Sequence, residues 1–369
     1  MAEVLVLLAV GLMSGTSIDG IDAALIETNG KHKIDCLAFH SVPYEPQMAN
    51  RIRAVLGRTK LDDDIAAVER DLTLLHARAV KTLLTKANVD CSLVRVVGFH
   101  GHTLHHEPTQ SFTWQIGDGA LLAKECGIDV VYDCRSADMA GGGEGAPLAP
   151  IFHLALMAEQ EKPVAILNLG GVGNVTWIGE KETLLAFDTG PGNALIDDWV
   201  YRHTGKTMDS DGALANRGKI DENVMAKLLL CPYLNRPPPK SLDRDEFNVS
   251  AVEPLLIEDG AATLTAFTVA CVQGALKHFS APPLRWIVCG GGRKNPAIMS
   301  GLQFTLGVPV EPMEAVGWDG DAIEAQAFAY LAVRKLLDLP TSFPETTGVD
   351  KPTSGGVFHS VMDSELNQQ

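Results

Sequence analysis

No C-x-x-C pair occurs among the seven cysteines, Cys36, Cys91, Cys126, Cys134, Cys231, Cys271 and Cys289, which are odd in number and scattered. Neither a disulfide framework nor a zinc knuckle is indicated, and a reducing cytoplasm is the expected setting. No run reaches the roughly 18 apolar residues of a membrane-spanning helix. Val4 to Val10 is continuously apolar, but no basic residue precedes it and no small-residue cleavage site follows, so it is read as a buried strand and not as a secretion signal. Positive charge is in deficit: 30 Lys and Arg face 46 Asp and Glu, a formal charge of −16. Binding to nucleic acid or to an anionic membrane surface is thereby disfavoured.

What is present is ordinary globular material, 46% hydrophobic and 21% charged, over 369 residues. That length suits about two domains. Val4 to Leu12, Asp22 to Thr28 and Lys33 to Val42 read as three antiparallel strands, with Asn29-Gly30 as a tight hairpin. Helical spacing follows over 47–56 and 62–87, the second behind the acidic start Asp62-Asp63-Asp64. Val94 to Phe99, Phe112 to Ile116, a helix opening near Asp118, and Ile128 to Tyr132 continue a β-α-β alternation. Val164 to Leu169, Val175 to Ile178 and Leu184 to Phe187 are again three short strands, so the second half restarts the architecture of the first. Helices are expected over 193–203, 262–279, after Asn295-Pro296 and over 321–337, and an extended tail from Pro340. The reading is two α/β domains, 1–138 with a tail of about 340–369, and 139–339, facing each other across a cleft.

In each half a Gly-rich turn joins the first two strands. In Gly15-Thr16-Ser17-Ile18-Asp19-Gly20-Ile21-Asp22, glycines and short hydroxyl residues let backbone N–H groups approach an anion closely, as a phosphate requires. The lysine of a G-x-x-x-x-G-K-[ST] loop is missing, so Asp19 or Asp22 is the candidate to face Mg²⁺ through its waters. Gly170-Gly171-Val172-Gly173-Asn174 is the second such turn, and Gly290-Gly291-Gly292, leading to Asn295, the third. Each follows an apolar strand, which favours a nucleotide cleft over turns that serve chain reversal alone.

Asp188, at a strand end before Thr189-Gly190-Pro191-Gly192-Asn193, is placed as a general base for a hydroxyl or a water, with helix capping near Asn193 as the plainer alternative. His100-Gly101-His102-Thr103-Leu104-His105-His106 resembles the H-x-H-x-D-H cluster of metallo-β-lactamase-like hydrolases, but Leu104 takes the Asp place. Pocket-lining histidines are therefore favoured over a metal site, and His105 and His106 are read as surface loop. Arg135, between Asp133 and Asp138, offers a forked donor to a substrate carboxylate, or else an ion pair with one of those neighbours. Glu324 is a further candidate, with a solvated helix position as its ordinary role.

Together GLMSGTSIDGIDAALIE, FHGHTLHHEP, TWQIGDGALLA, DCRSADMAGGGEGAPLAP, NLGGVGNVTW, FDTGPGNALIDDW, RPPPKS followed by EFN, CGGGRKNPAIM and GWDGDAIEAQAFAYLA resemble the anhydro-N-acetylmuramic acid kinase family, in family order from Gly11 to the tail. The chain departs at Leu242-Asp243, where the family usually reads Thr-Gly, and over Asp209–Ala213. The resemblance implies a two-domain sugar-kinase and actin-like (ribonuclease H-like) fold with ATP in the cleft. It implies ATP and Mg²⁺ as cofactors, Gly15–Asp22 and Gly170–Asn174 as phosphate turns, and Gly290–Asn295 near the adenosine. It also implies a homodimer in the bacterial cytoplasm, acting in the recycling of peptidoglycan sugar. The implied reaction opens the 1,6-anhydro ring with water while O6 receives the γ-phosphoryl group, giving N-acetylmuramate 6-phosphate and ADP, with Asp188 as the base. His100, Arg135, Asp133, Gly190, Asn193 and Glu324 are the candidate substrate contacts. Two other functions share some of these residues: a metal-dependent hydrolase using His100, His102 and His105, and a non-catalytic actin-like ATP- or sugar-binding module.

Overall fold

The computed structural model describes residues 5–242 and 247–362. Val4 of the expected first strand, Asp243, and Glu246 of the EFN stretch lie outside the described residues. The chain divides into two compact units, one of Met1–Glu159 with Ala322–Gln369 and one of Gln160–Asp321. The first unit thus also holds residues 139–159 and 322–339, which the sequence reading assigned to the second. The reason is packing: the helix Ile323–Leu336 lies on β1 (Leu7–Ser14) and on β2 (Gly20–Thr28).

After β1 and β2 the first unit continues with β3 (Ile34–Pro43), β4 (Val94–Glu107), β5 (Phe112–Ile116) and β6 (Val130–Tyr132). The second unit supplies β7 (Val164–Leu169), β8 (Val172–Ile178), β9 (Leu184–Pro191), β10 (Arg285–Cys289) and β11 (Val310–Pro312). β12 (Val357–His359) returns to the first. One sheet runs β12-β6-β4-β1-β2-β3, with β5 paired to β4 off this path, and the other runs β11-β10-β7-β8-β9. In both, the first three strands pair antiparallel, one later strand (β4 or β10) joins the first in parallel, and a further strand (β6 or β11) pairs in parallel with that one. The restart seen in the sequence is a repeated topology, and the α/β class holds for both units.

Central strands carry the core. Ala9 to Ser14 of β1 and all six residues of β7 are buried, as expected where helices cover both faces of a sheet. The helix Ile323–Leu336 sits so close that a β-carbon at Gly11 would overlap the Ala325 carbonyl, and one at Gly98 the Phe328 carbonyl. In the second unit Trp199, Phe267 and Trp286 fill the core beside Phe187. Trp199 also donates from Nε1 to the Ile257 carbonyl at 2.9 Å.

Several local expectations shift. Residues 29–33 form a five-residue loop with only Gly30 at positive φ, because Asn29 Oδ1 accepts from the N–H groups of Lys31 and Lys33 and so builds the turn from its side chain. β4 extends through the histidine run to Glu107, which places His105 and His106 in a strand paired with β5. β5 is antiparallel to β4, so the β-α-β alternation resumes only at β6. The tail includes a short helix, Pro344–Thr347, and β12, which pairs with β6.

Candidate active site

In the first unit the residues after β1 turn sharply. Ile18 N–H donates to the Gly15 carbonyl at 3.0 Å, and Ile18 has φ +58°, a region that β-branched side chains seldom enter. Its side chain repays this by burial among Met48, Ala49, Ile52 and Ile65. Thr16 and Ser17 are exposed, and their N–H groups donate to no group among the described residues. Asp19 is exposed and its carbonyl accepts from Tyr44 N–H at 3.0 Å, while Asp22 is half-buried on β2 opposite Met13. Gly20 is required for contact, since a β-carbon there would overlap the Val42 carbonyl. Ser14, buried at the end of β1, bonds Tyr44 Oη at 2.7 Å and His102 Nδ1 at 2.9 Å, tying the turn to β4.

β4 distributes its histidines among separate partners. His100 Nε2 accepts from the Arg135 fork, at 3.2 Å from Nε and 2.9 Å from Nη2, so its proton lies on Nδ1, 3.1 Å from the Gly101 carbonyl. Burial first, and then the Arg135 charge, hold His100 well below the usual histidine range. Arg135 Nη1 donates to the Gly145 carbonyl at 2.8 Å. Asp138, fully buried, accepts from Gly145 N–H at 2.7 Å and from Thr347 Oγ1 at 2.5 Å, which pins the Gly141–Gly145 loop. Asp133 accepts from Ser136 Oγ at 2.5 Å. His102 pairs with Ser14, and His105 with Glu107 at 3.1 Å. No three His, Cys, Asp or Glu side chains converge on a metal-sized site among the described residues. Glu324 is exposed in the first turn of its helix, where its charge suits the helix dipole.

In the second unit the expected glycine segments come together. Gly192 N–H donates to the Gly171 carbonyl at 2.9 Å and Asn193 N–H to the Gly170 carbonyl at 2.8 Å. Asn193 Nδ2 adds bonds to the Leu169 and Gly170 carbonyls at 2.9 and 3.0 Å, so Asn193 orders the turn and does not cap the helix that follows. Gly290 has φ +74°, and a β-carbon at Gly292 would crowd Leu169, which keeps this third turn against the end of β7. The space around Gly170 and Gly171 is open, with nothing nearer than 3.7 Å to a β-carbon. Asn295 serves as a helix cap, its Oδ1 accepting from Ala297 N–H at 3.0 Å.

Asp188 lies inside β9, since the strand runs on to Pro191, and it pairs with Asn174 beside an irregularity in the β8–β9 register. It is 8% exposed. One carboxylate oxygen accepts from Leu242 N–H at 2.8 Å, its N–H donates to the Lys240 carbonyl at 3.1 Å, and its carbonyl accepts from Tyr233 Oη at 2.8 Å. Gly190 leaves no room for a side chain against Cys271. A buried aspartate held at one carboxylate oxygen and at both backbone polar atoms is a well-oriented acceptor for a proton.

Sequence reasoning missed Ser14, Tyr233 and Lys240, whose partners lie 30 to 88 residues away in the case of Ser14. It also missed Arg293, which binds Glu314, Asp321 and the Gly290 carbonyl and so fixes the third glycine turn. The one signal available was the basic residue directly following the Gly290–Gly292 run.

A family model for anhydro-N-acetylmuramic acid kinase matches residues 7–360. An anhydro-N-acetylmuramic acid kinase of Paramagnetospirillum magneticum is 54% identical over 356 residues, covering 96% of this chain and 99% of that protein. One of Rhizorhabdus wittichii is 52% identical over 360 residues, covering 96% and 99%. Among solved structures, the (R)-2-hydroxyglutaryl-CoA dehydratase component A of Acidaminococcus fermentans is similar at 12% identity, with a TM-score of 0.47 over 89% of this chain and 99% of that one.

Proposed function

The chain belongs to the anhydro-N-acetylmuramic acid kinase family, and from that premise we propose that it transfers the γ-phosphoryl group of ATP to O6 of 1,6-anhydro-N-acetylmuramic acid while water opens the anhydro ring. The products are N-acetylmuramate 6-phosphate and ADP. The observation that carries the chemistry is Asp188, buried and oriented by Leu242 N–H in the unit that also holds the second and third glycine turns. Asp188 takes a proton from the water that attacks C1. The C1–O6 bond breaks, its electrons stay on O6, and O6 attacks phosphorus. One carboxylate thus serves both events, and no separate acid protonates the leaving oxygen.

Phosphoryl transfer needs positioning and charge neutralisation more than covalent help. The residues fit that need: Thr16 and Ser17 offer unengaged N–H groups, and Gly15, Gly170 and Gly171 leave open space where β-carbons would stand. Both turns are assigned to phosphate oxygens, and Gly290–Asn295 to the adenosine side. Mg²⁺ would neutralise phosphate charge, held through its waters by Asp19 or Asp22. Arg135, its fork steadied by His100 and Gly145, is assigned to the lactyl carboxylate of the sugar, with Asp133, Gly190, Asn193 and Glu324 as the remaining candidate contacts. No helix among the described residues is long and apolar enough to cross a membrane; the bacterial cytoplasm is the proposed setting and a homodimer the proposed assembly.

Mass spectrometry of the product formed in ¹⁸O-water tests this directly. Wild type should give a phosphorylated sugar with ¹⁸O at C1. Asp188→Asn should lower kcat by about 10³-fold or more. Unphosphorylated, ring-opened sugar or a fully active Asp188→Asn variant would sink the mechanism.

A further inference from the structure

The Arg236-Pro237-Pro238-Pro239-Lys240 segment has no part in the chemistry assigned above, yet it delivers a lysine to an unusual place. Lys240 is 3% exposed. Its Nζ donates to the Tyr233 carbonyl at 3.3 Å and stands 4.6 Å from the Tyr233 ring centroid and 5.6 Å from that of Phe187. No carboxylate among the described residues forms an ion pair with it. It borders a cavity of about 160 Å³ with Phe187, Thr189, Leu234, Cys271 and Lys277. Stability alone does not favour such a residue, because an apolar side chain of similar length would fill the same wall without stripping water from a charge.

The bonds around it form a closed ring. Tyr233 Oη holds the Asp188 carbonyl, Asp188 N–H holds the Lys240 carbonyl, and Lys240 Nζ holds the Tyr233 carbonyl. Two residues beyond Lys240, Leu242 N–H grips the Asp188 carboxylate itself. The ammonium therefore ties the two ends of the segment that orients Asp188. It also lies within electrostatic reach of that carboxylate.

We propose that Lys240 is a positioning residue for Asp188, its buried ammonium closing the Tyr233–Leu242 segment around β9 and setting the field in which the carboxylate accepts its proton. This rests on the assignment of Asp188 as the base. Lys240 donates nothing to the substrate. A positive charge here favours the ionised carboxylate, which is the form that accepts a proton. Burial, then Lys277 and Arg236, push the amine down to about 8, while Cys271 and Asp188 act in the opposite sense; His278 feels the same charge from the neighbouring helix end. As pH rises through that value the ammonium is lost, and with it both the field and the charge-assisted bond to Tyr233.

The test is a set of pH–kcat profiles for wild type, Lys240→Met, Lys240→Arg and Asp188→Asn, with thermal melts alongside. Lys240→Met should lower kcat by about tenfold with KM changed less than about twofold, and should move the acidic limb to higher pH. It should melt no lower than wild type, whereas a merely structural lysine would lower the melt and leave the profile in place. Lys240→Arg should recover much of kcat and carry the alkaline limb to higher pH than in wild type, because a guanidinium keeps its charge where the amine loses it. Should Lys240→Met not fold, Lys240→Arg decides alone, since an alkaline limb unmoved by a guanidinium overturns the proposal. So does a Lys240→Met profile within about twofold of wild type at every pH. An active Asp188→Asn variant overturns the base assignment itself; an inactive one beside an unaffected Lys240→Met overturns only the present inference.

Discussion

The residues between β1 and β2 are fixed by their side chains: Ile18 buries itself at a left-handed φ, and Ser14 ties the strand end to Tyr44 and His102. Those between β7 and β8 are two glycines, held through their carbonyls by the backbone of Gly192–Ala194 and the amide of Asn193. The strand order around the two turns is the same. A shared topology therefore fixes where a turn falls, while the means of holding it is left to local sequence. The first turn depends on a buried polar and apolar environment, the second on close backbone approach.

That contrast can be broken most strongly by acid. Burial holds His76, His102, His106 and His153, all of the first unit, down to about 4. Their folded-state values lie below the unfolded value of about 6.5, so their stability contribution is full above that pH and is lost as pH falls toward 4, up to about 3 kcal/mol for each. Hydrogen exchange should therefore accelerate in peptides covering β4 before those covering β7–β9 as pH drops through this window. Simultaneous loss of protection would contradict it.

Next in size is Gly192→Ala, whose β-carbon would overlap the Gly170 carbonyl. A loss of about 3 kcal/mol in a denaturant melt is expected, because the neighbour is backbone and has little room to yield. Ser14→Ala should cost about 2 kcal/mol by leaving His102 Nδ1 buried without its partner; an unchanged melt would show that the first turn does not lean on that bond. Smallest in stability is Gly170→Ala, within about 1 kcal/mol of wild type given its open surroundings. Its KM for ATP should nevertheless rise, which separates a glycine kept for the ligand from one kept for the fold.

Much of this was legible from residue pattern. β7 reads out to the residue, because a strand covered on both faces is an uninterrupted apolar run. The helix Asp63–Ala87 announces itself by Asp62, whose side chain does accept from Ile65 N–H. Asp188 was singled out by its place before a glycine turn, although β9 continues past it. The histidine run misled in its second half, since His105 and His106 lie in a strand paired with β5 and not in a surface loop, while His100 Nε2 and His102 Nδ1 turn inward to Arg135 and Ser14 at a distance no local pattern reveals. β12 is three residues long and exists by pairing with β6, so its own sequence holds no signal of it. Nothing in the RPPPKS stretch marks Lys240 as buried, and only the folded chain shows it against Tyr233 and Phe187.

The helix Ile323–Leu336, pressed against β1 at Gly11 and β4 at Gly98, governs the order in which the protein matures during synthesis. β1 leaves the ribosome long before the element that covers it, which is made more than 300 residues later. The unit formed by Gln160–Asp321 is complete by then and can fold on the nascent chain. The earlier-made half must wait with an apolar sheet face uncovered, so any stall in translation before Ile323 leaves a chain whose older part is the one exposed to chaperones and proteases.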